Sequence, residues 1–133
     1  MIRLLAVLLL LPLAGNAMAD DDVAGCDGSS QPEMTKCVWD AYRKADDELN
    51  TLWPEVLATI KPTDDLPETA AKDWKARLLA AQRAWATFKH EDCEGATAYE
   101  WYGGSGANAA VGACLYSLTR ARIDDLKSRY TDK

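Results

Sequence analysis

The sequence predicts an all-α fold, a small antiparallel three-helix bundle stapled by two disulfides at one pole. Three observations carry that prediction. Apolar residues recur at steps of three and four over most of the chain, no segment of useful length has the period of a strand, and four cysteines fall where helices begin or end. The 133 residues are 48% hydrophobic and 27% charged, the composition of one globular domain and not of a disordered chain.

Residues 1–19 read as a secretory signal peptide: Arg3, the apolar run Leu4 to Leu13, then Ala17-Met18-Ala19 as the cleavage site. The run is too short to span a bilayer core of ~30 Å, so no stable membrane insertion is expected. Val23-Ala24-Gly25-Cys26 offers a rival reading as a lipobox with a lipid anchor on Cys26. Three consecutive acids, Asp20 to Asp22, separate it from the apolar run, and acylation would leave three thiols in an oxidising compartment. Cleavage near Ala19 and a periplasmic or secreted location are therefore preferred. Residues 20–30 form a short flexible leader, and 31–133 the helical domain.

The first helix follows from the series Met34, Cys37, Val38, Ala41, Tyr42, Ala45, Leu49, Leu52, Trp53, Val56 and Ile60. Ser30 and Glu33 have capping-box spacing with Pro32 in the first turn, the helix ends near Lys61, and Pro54 should kink it without dividing it. Asp65 and Glu68 repeat the capping spacing at the start of a second helix, whose stripe is Ala71, Trp74, Leu78, Ala81, Trp85 and Phe88 and whose end lies near Cys93. Trp74 and Trp85 are assigned to the core by that spacing. Glu94 to Asn108 is a long Gly-aromatic loop, and Val111, Cys114, Leu115, Leu118, Ala121, Leu126 and Tyr130 mark a third helix.

Short connections make neighbouring helices antiparallel, which brings Cys26, Cys37, Cys93 and Cys114 to one pole together with the long loop. Geometry permits all three pairings. Cys26–Cys37 and Cys93–Cys114 are favoured because each closes a short local loop, stabilising by roughly 2 to 3 kcal/mol apiece.

These residues resemble the family known as DUF1311, or the lysozyme inhibitor LprI N-terminal domain. The resemblance runs through Cys26 with Met34-Thr35-Lys36-Cys37, Ala45-Asp46-Asp47-Glu48-Leu49-Asn50, Leu79-Ala80-Ala81-Gln82-Arg83-Ala84-Trp85, Cys93, Gly103-Gly104-Ser105, and Cys114 with Leu118-Thr119 and Arg122. It implies a small helical, disulfide-bonded, exported protein of the bacterial envelope, with inhibition of lysozyme as the named activity. Within the motif, Asp46, Leu49, Asn50, Gln82, Arg83, Trp85, Thr119 and Arg122 are expected to be structural, as core positions, caps, surface pairs and a partly buried polar network.

The charge balance is compatible with that activity. Fifteen Lys and Arg against 21 Asp and Glu give a net charge of -6, which repels nucleic acid and suits a basic partner such as lysozyme or another basic peptidoglycan hydrolase. Occluding a sugar cleft that holds two catalytic carboxylates calls for neutral or donor groups. Tyr99-Glu100-Trp101-Tyr102-Gly103-Gly104-Ser105 supplies backbone N–H groups, a hydroxyl and aromatic rings, and is the candidate partner-binding strap. The same aromatics have an alternative fate, folded back over the end of the bundle. No catalytic residue, metal site or cofactor is expected. His90 reads as an exposed side chain among acids, and Asp64-Asp65 and Asp124-Asp125 as solvated pairs with no cleft between them. Two other functions fit the same sequence: an immunity protein against a secreted peptidoglycan hydrolase, and a non-inhibitory structural or stress component of the envelope.

Overall fold

The structure is a computed structural model that describes residues 23–26 and 30–132. The signal peptide and most of the leader lie outside the described residues. Three long helices dominate: α1 (Gln31–Thr59), α2 (Glu68–His90) and α4 (Ala107–Leu126), with a single short turn of helix, α3 (Ala98–Glu100), before the last. Helix α2 runs antiparallel to the other two. Its last turn meets the middle of α1 through Lys89 and Asp46, and its first turns meet the chain end through Trp74 and Tyr130.

Helix α1 begins at the expected cap. The Ser30 hydroxyl accepts the Glu33 N–H at 3.4 Å and donates to the Glu33 carboxylate at 2.8 Å. Pro54 sits inside one continuous helix; it and Asn50, whose carbonyl loses its helical donor, are exposed, so water can serve that carbonyl.

The capping box expected at Asp65 and Glu68 does not form. Pro67 holds Leu66 out of helical geometry, so α2 starts only at Glu68. Thr63 instead closes a tight turn, its hydroxyl and carbonyl accepting the Leu66 N–H at 3.1 and 3.2 Å.

The larger correction is to the long loop. Helical structure does not stop at Cys93: Glu91–Thr97 continues as a π-helix and passes directly into α3. Asp92, Gly95 and Thr97 in that stretch are poor helix formers, and packing of Cys93, fully buried, overrides the propensity. Only Trp101 to Gly106 remains as a connection.

Two apolar clusters fill the interior. The larger joins Leu49, Leu52 and Val56 of α1 and Ile60, just past its end, to Ala71 and Leu78 of α2 and to Ile123, Leu126 and Tyr130. The smaller joins Cys93, Val111 and Leu115, with Trp39 and Tyr42 packed against it. The stripe assigned to α2 is rotated from the expected one. Ala71, Leu78, Gln82, Trp85 and Lys89 point inward, whereas Trp74 is 43% and Phe88 53% exposed. Trp74 lies against the Tyr130 ring, with centroids 6.2 Å apart.

Candidate functional site at the stapled pole

The disulfides are Cys26–Cys37 and Cys93–Cys114, with Cα–Cα distances of 5.7 and 5.5 Å. Both lie at the pole where α1 and α4 begin. Gly112, two residues before Cys114, packs so closely on Val38, beside Cys37, that a Cβ there would lie 2.9 Å from the valine methyl. The Trp39 indole N–H reaches across to the Asn108 carbonyl and side-chain oxygen, each at 3.0 Å. The first turns of the two helices are thereby fixed side by side, and the covalent links tie the residues before α1 and the π-helix to them. Asp92 stands beside Cys93 and Cys114, but the two sulfurs are bonded to each other and offer no thiolate to a metal.

The strap at this pole divides its aromatic residues between two fates. Trp101 is 48% exposed and lays its ring over Gly106, where a Cβ would come within 2.3 Å of the indole; only glycine fits beneath it. Tyr99 and Tyr102 project, 82% and 96% exposed. A chain of turns fixes their backbone: Tyr102 N–H to Tyr99 carbonyl at 3.0 Å, Gly104 N–H to Trp101 carbonyl at 2.7 Å, and Ala107 N–H to Gly104 carbonyl at 3.0 Å. Tyr102 has φ +45 and Gly103 φ +70, so a bulky side chain holds a left-handed conformation at the tip. Glu100 and Ser105 are exposed, and the Ser105 hydroxyl takes no hydrogen bond among the described residues. The Gly104 N–H, one of the donors expected to face a partner, is occupied within the strap.

Charge is distributed unevenly. Between residues 91 and 119 the chain carries Glu91, Asp92, Glu94 and Glu100 and no lysine, arginine or histidine. His90 is exposed, with Nδ1 3.3 Å from the Glu94 carboxylate. On α1, Asp40 is held below the usual carboxylate range by hydrogen bonds from Lys36 and, less strongly, Arg43.

Beneath the pole a polar belt separates the two apolar clusters. The Lys89 ammonium donates to the Asp46 carboxylate at 3.2 Å, the Tyr42 hydroxyl at 3.3 Å and the Thr119 hydroxyl at 3.4 Å, and lies about 5 Å from the Tyr42 and Trp85 ring centroids. Asp46 also accepts from the exposed Asn50 at 3.2 Å. Arg122 donates through Nε to Gln82 at 2.9 Å and through Nη1 to Asp125 at 2.9 Å, and its guanidinium lies 5.9 Å from the Trp85 ring centroid. Its Nη2 is buried without a hydrogen-bond partner among the described residues. Leu49 is in the core, and Arg83 is exposed. Asp46, Gln82, Trp85, Thr119 and Arg122 are thus brought together, and Asn50 adjoins them.

Lys89 was not singled out by sequence reasoning. The signal is its spacing: it continues the row Leu78, Gln82, Trp85 at steps of four, three and four, and the row turns polar there. Gly106, the seat of Trp101, is a second residue that periodicity does not mark.

A family model described as "Lysozyme inhibitor LprI" matches residues 25–126. An uncharacterized protein of Rhizobium meliloti (strain 1021) is 36% identical over 127 residues, which cover 92% of this chain and 90% of that protein. No solved structure matches the chain significantly.

Proposed function

From the fact that this chain belongs to the lysozyme inhibitor LprI family, we propose that it is an exported binding protein that inhibits a peptidoglycan-cleaving lysozyme by closing its active-site cleft with the stapled pole. The observation that carries this reading is the strap. Two tyrosines, a glycine and a free hydroxyl project from a backbone fixed by consecutive turns, between covalent anchors at Cys93 and Cys114. A loop already held in its bound shape loses little entropy on association, and exposed aromatics are the residues that most often dominate interface energies. The acidic tip supplies the charge that steers a basic enzyme toward it.

Export fits the same reading. Both cysteine pairs are oxidised, the usual state in the periplasm or outside the cell, and Cys26 has no thiol left to acylate. No described helix is long and apolar enough to cross a membrane. The reading is of a binder and not of a catalyst, and the one histidine of the sequence, His90, is exposed beside Glu94.

Turbidity assays of cell-wall lysis, run with several lysozyme classes and increasing amounts of the mature protein, test the proposal. Dose-dependent loss of lysis by the wild type, reduced by Ser105→Ala and by Tyr99→Ala at unchanged melting temperature, is the expected outcome. Full lysis at saturating protein with every class would refute it.

A further inference from the structure

The cleft between Tyr99 and Tyr102 says what the strap grips. We infer that it clamps a lysine or arginine side chain of a basic protein partner, the two rings flanking the alkyl stem and the neighbouring carboxylates holding the charge. This rests on the function proposed above and names the chemistry of its contact.

Four observations support the clamp. A cavity of about 330 Å³ is lined by Ala98, Tyr99, Tyr102 and Gly103, ample for one long side chain and at the small end of ligand cavities. Tyr102 is 96% exposed and so adds nothing to the core, yet its φ of +45 is a strained conformation that the flanking turns maintain. Strain held at an exposed aromatic is a mark of a binding position. Residues 91–119, the segment that includes the strap, carry Glu91, Asp92, Glu94 and Glu100 and no lysine or arginine, and Glu100 lies in sequence between the two rings. The protein already builds the same arrangement internally, where the Lys89 ammonium sits 5.0 Å from the Tyr42 and 4.9 Å from the Trp85 centroid. A glycan strand would also stack on tyrosine, but cell-wall strands carry carboxylates, which this surface repels.

The test uses the full mature chain with its disulfides intact and a tri-arginine amide as probe, followed by the ring NMR signals of Tyr99 and Tyr102. Saturable shifts of both rings are expected in the wild type and in Tyr102→Phe, with affinity about tenfold weaker in Tyr102→Ala and Glu100→Gln and weaker in all as salt is raised. Unmoved ring signals, equal affinity in Tyr102→Ala, or a response to a chitooligosaccharide but not to the peptide would overturn the clamp. Lysozyme lysis measured in parallel separates the two ideas. Ring shifts without inhibition support the clamp and contradict the inhibitor reading. Inhibition that survives Tyr99→Ala and Tyr102→Ala undiminished overturns the clamp and leaves the inhibitor reading standing.

Discussion

Replacing Lys89 by methionine removes the ammonium at the centre of the polar belt while keeping most of the apolar stem. Lys89 is 9% exposed, and the Thr119 hydroxyl it meets is fully buried. Orphaning a buried hydroxyl costs about 1 kcal/mol at the long 3.4 Å separation seen here. Losing two ring contacts at 4.9 and 5.0 Å costs roughly 0.5–1 kcal/mol each. The Asp46 side chain is 38% exposed, so its carboxylate rehydrates when the cation goes and adds little. The expected destabilisation is about 2–3 kcal/mol, a fall in Tm of roughly 10 °C for a domain of this size. Thermal and urea unfolding followed by far-UV circular dichroism, with disulfides intact, measure it. A second variant, Thr119→Val, should lose much less in the Lys89→Met background than alone, because the hydroxyl no longer has a donor to lose. A Lys89→Met protein within 0.5 kcal/mol of the wild type, or strict additivity of the two changes, would show that the belt does not hold the helices together as described.

Three further outcomes follow from the geometry. Gly106→Ala drives a methyl into the Trp101 ring, so the indole should swing into water, with red-shifted tryptophan emission and a stability loss of about 1 kcal/mol. Glu48 is held below the usual carboxylate range by its hydrogen bond from Lys127 at 2.6 Å and by Arg120. Its contribution is therefore present above the unfolded pKa and lost as pH falls through the lower folded value. The stability gap between the wild type and Glu48→Gln, about 0.5–1 kcal/mol for so exposed a pair, should be full at pH 7 and close as pH falls through that lowered value in pH-dependent urea titrations. Serine at both Cys93 and Cys114 opens the loop spanned by a sequence separation of 21 and should cost about 3 kcal/mol in the same unfolding assay. It should also weaken partner binding at temperatures where the bundle is still folded.

Helix existence, direction and the two cross-links were legible in the sequence because each rests on local regularities: three-and-four spacing over α1, and cysteines 11 and 21 residues apart. The face of α2 was not. Its residues Trp74, Ala81 and Phe88 satisfy an apolar stripe, but the inward row is completed by Gln82 and Lys89, because Asp46, Thr119 and Arg122 on facing helices partner them. A polarity pattern on one helix cannot reveal that its neighbours supply compensating groups. The helical continuation through Glu91–Thr97 escaped for a related reason, since tertiary packing of Cys93 outweighs an unfavourable local composition. In the strap, composition marked the aromatics as a group, while the split between a seated Trp101 and projecting Tyr99 and Tyr102 depends on the missing Cβ of Gly106, which no periodicity encodes.

The claim that the pole enters a lysozyme cleft is tested most directly by competition. Inhibition of a basic lysozyme by the mature protein should be relieved progressively as a chitooligosaccharide fills the sugar subsites, with the apparent inhibition constant rising in proportion to the sugar. An inhibition constant that ignores the sugar, or a lysozyme that keeps full activity at saturating protein, would contradict the account.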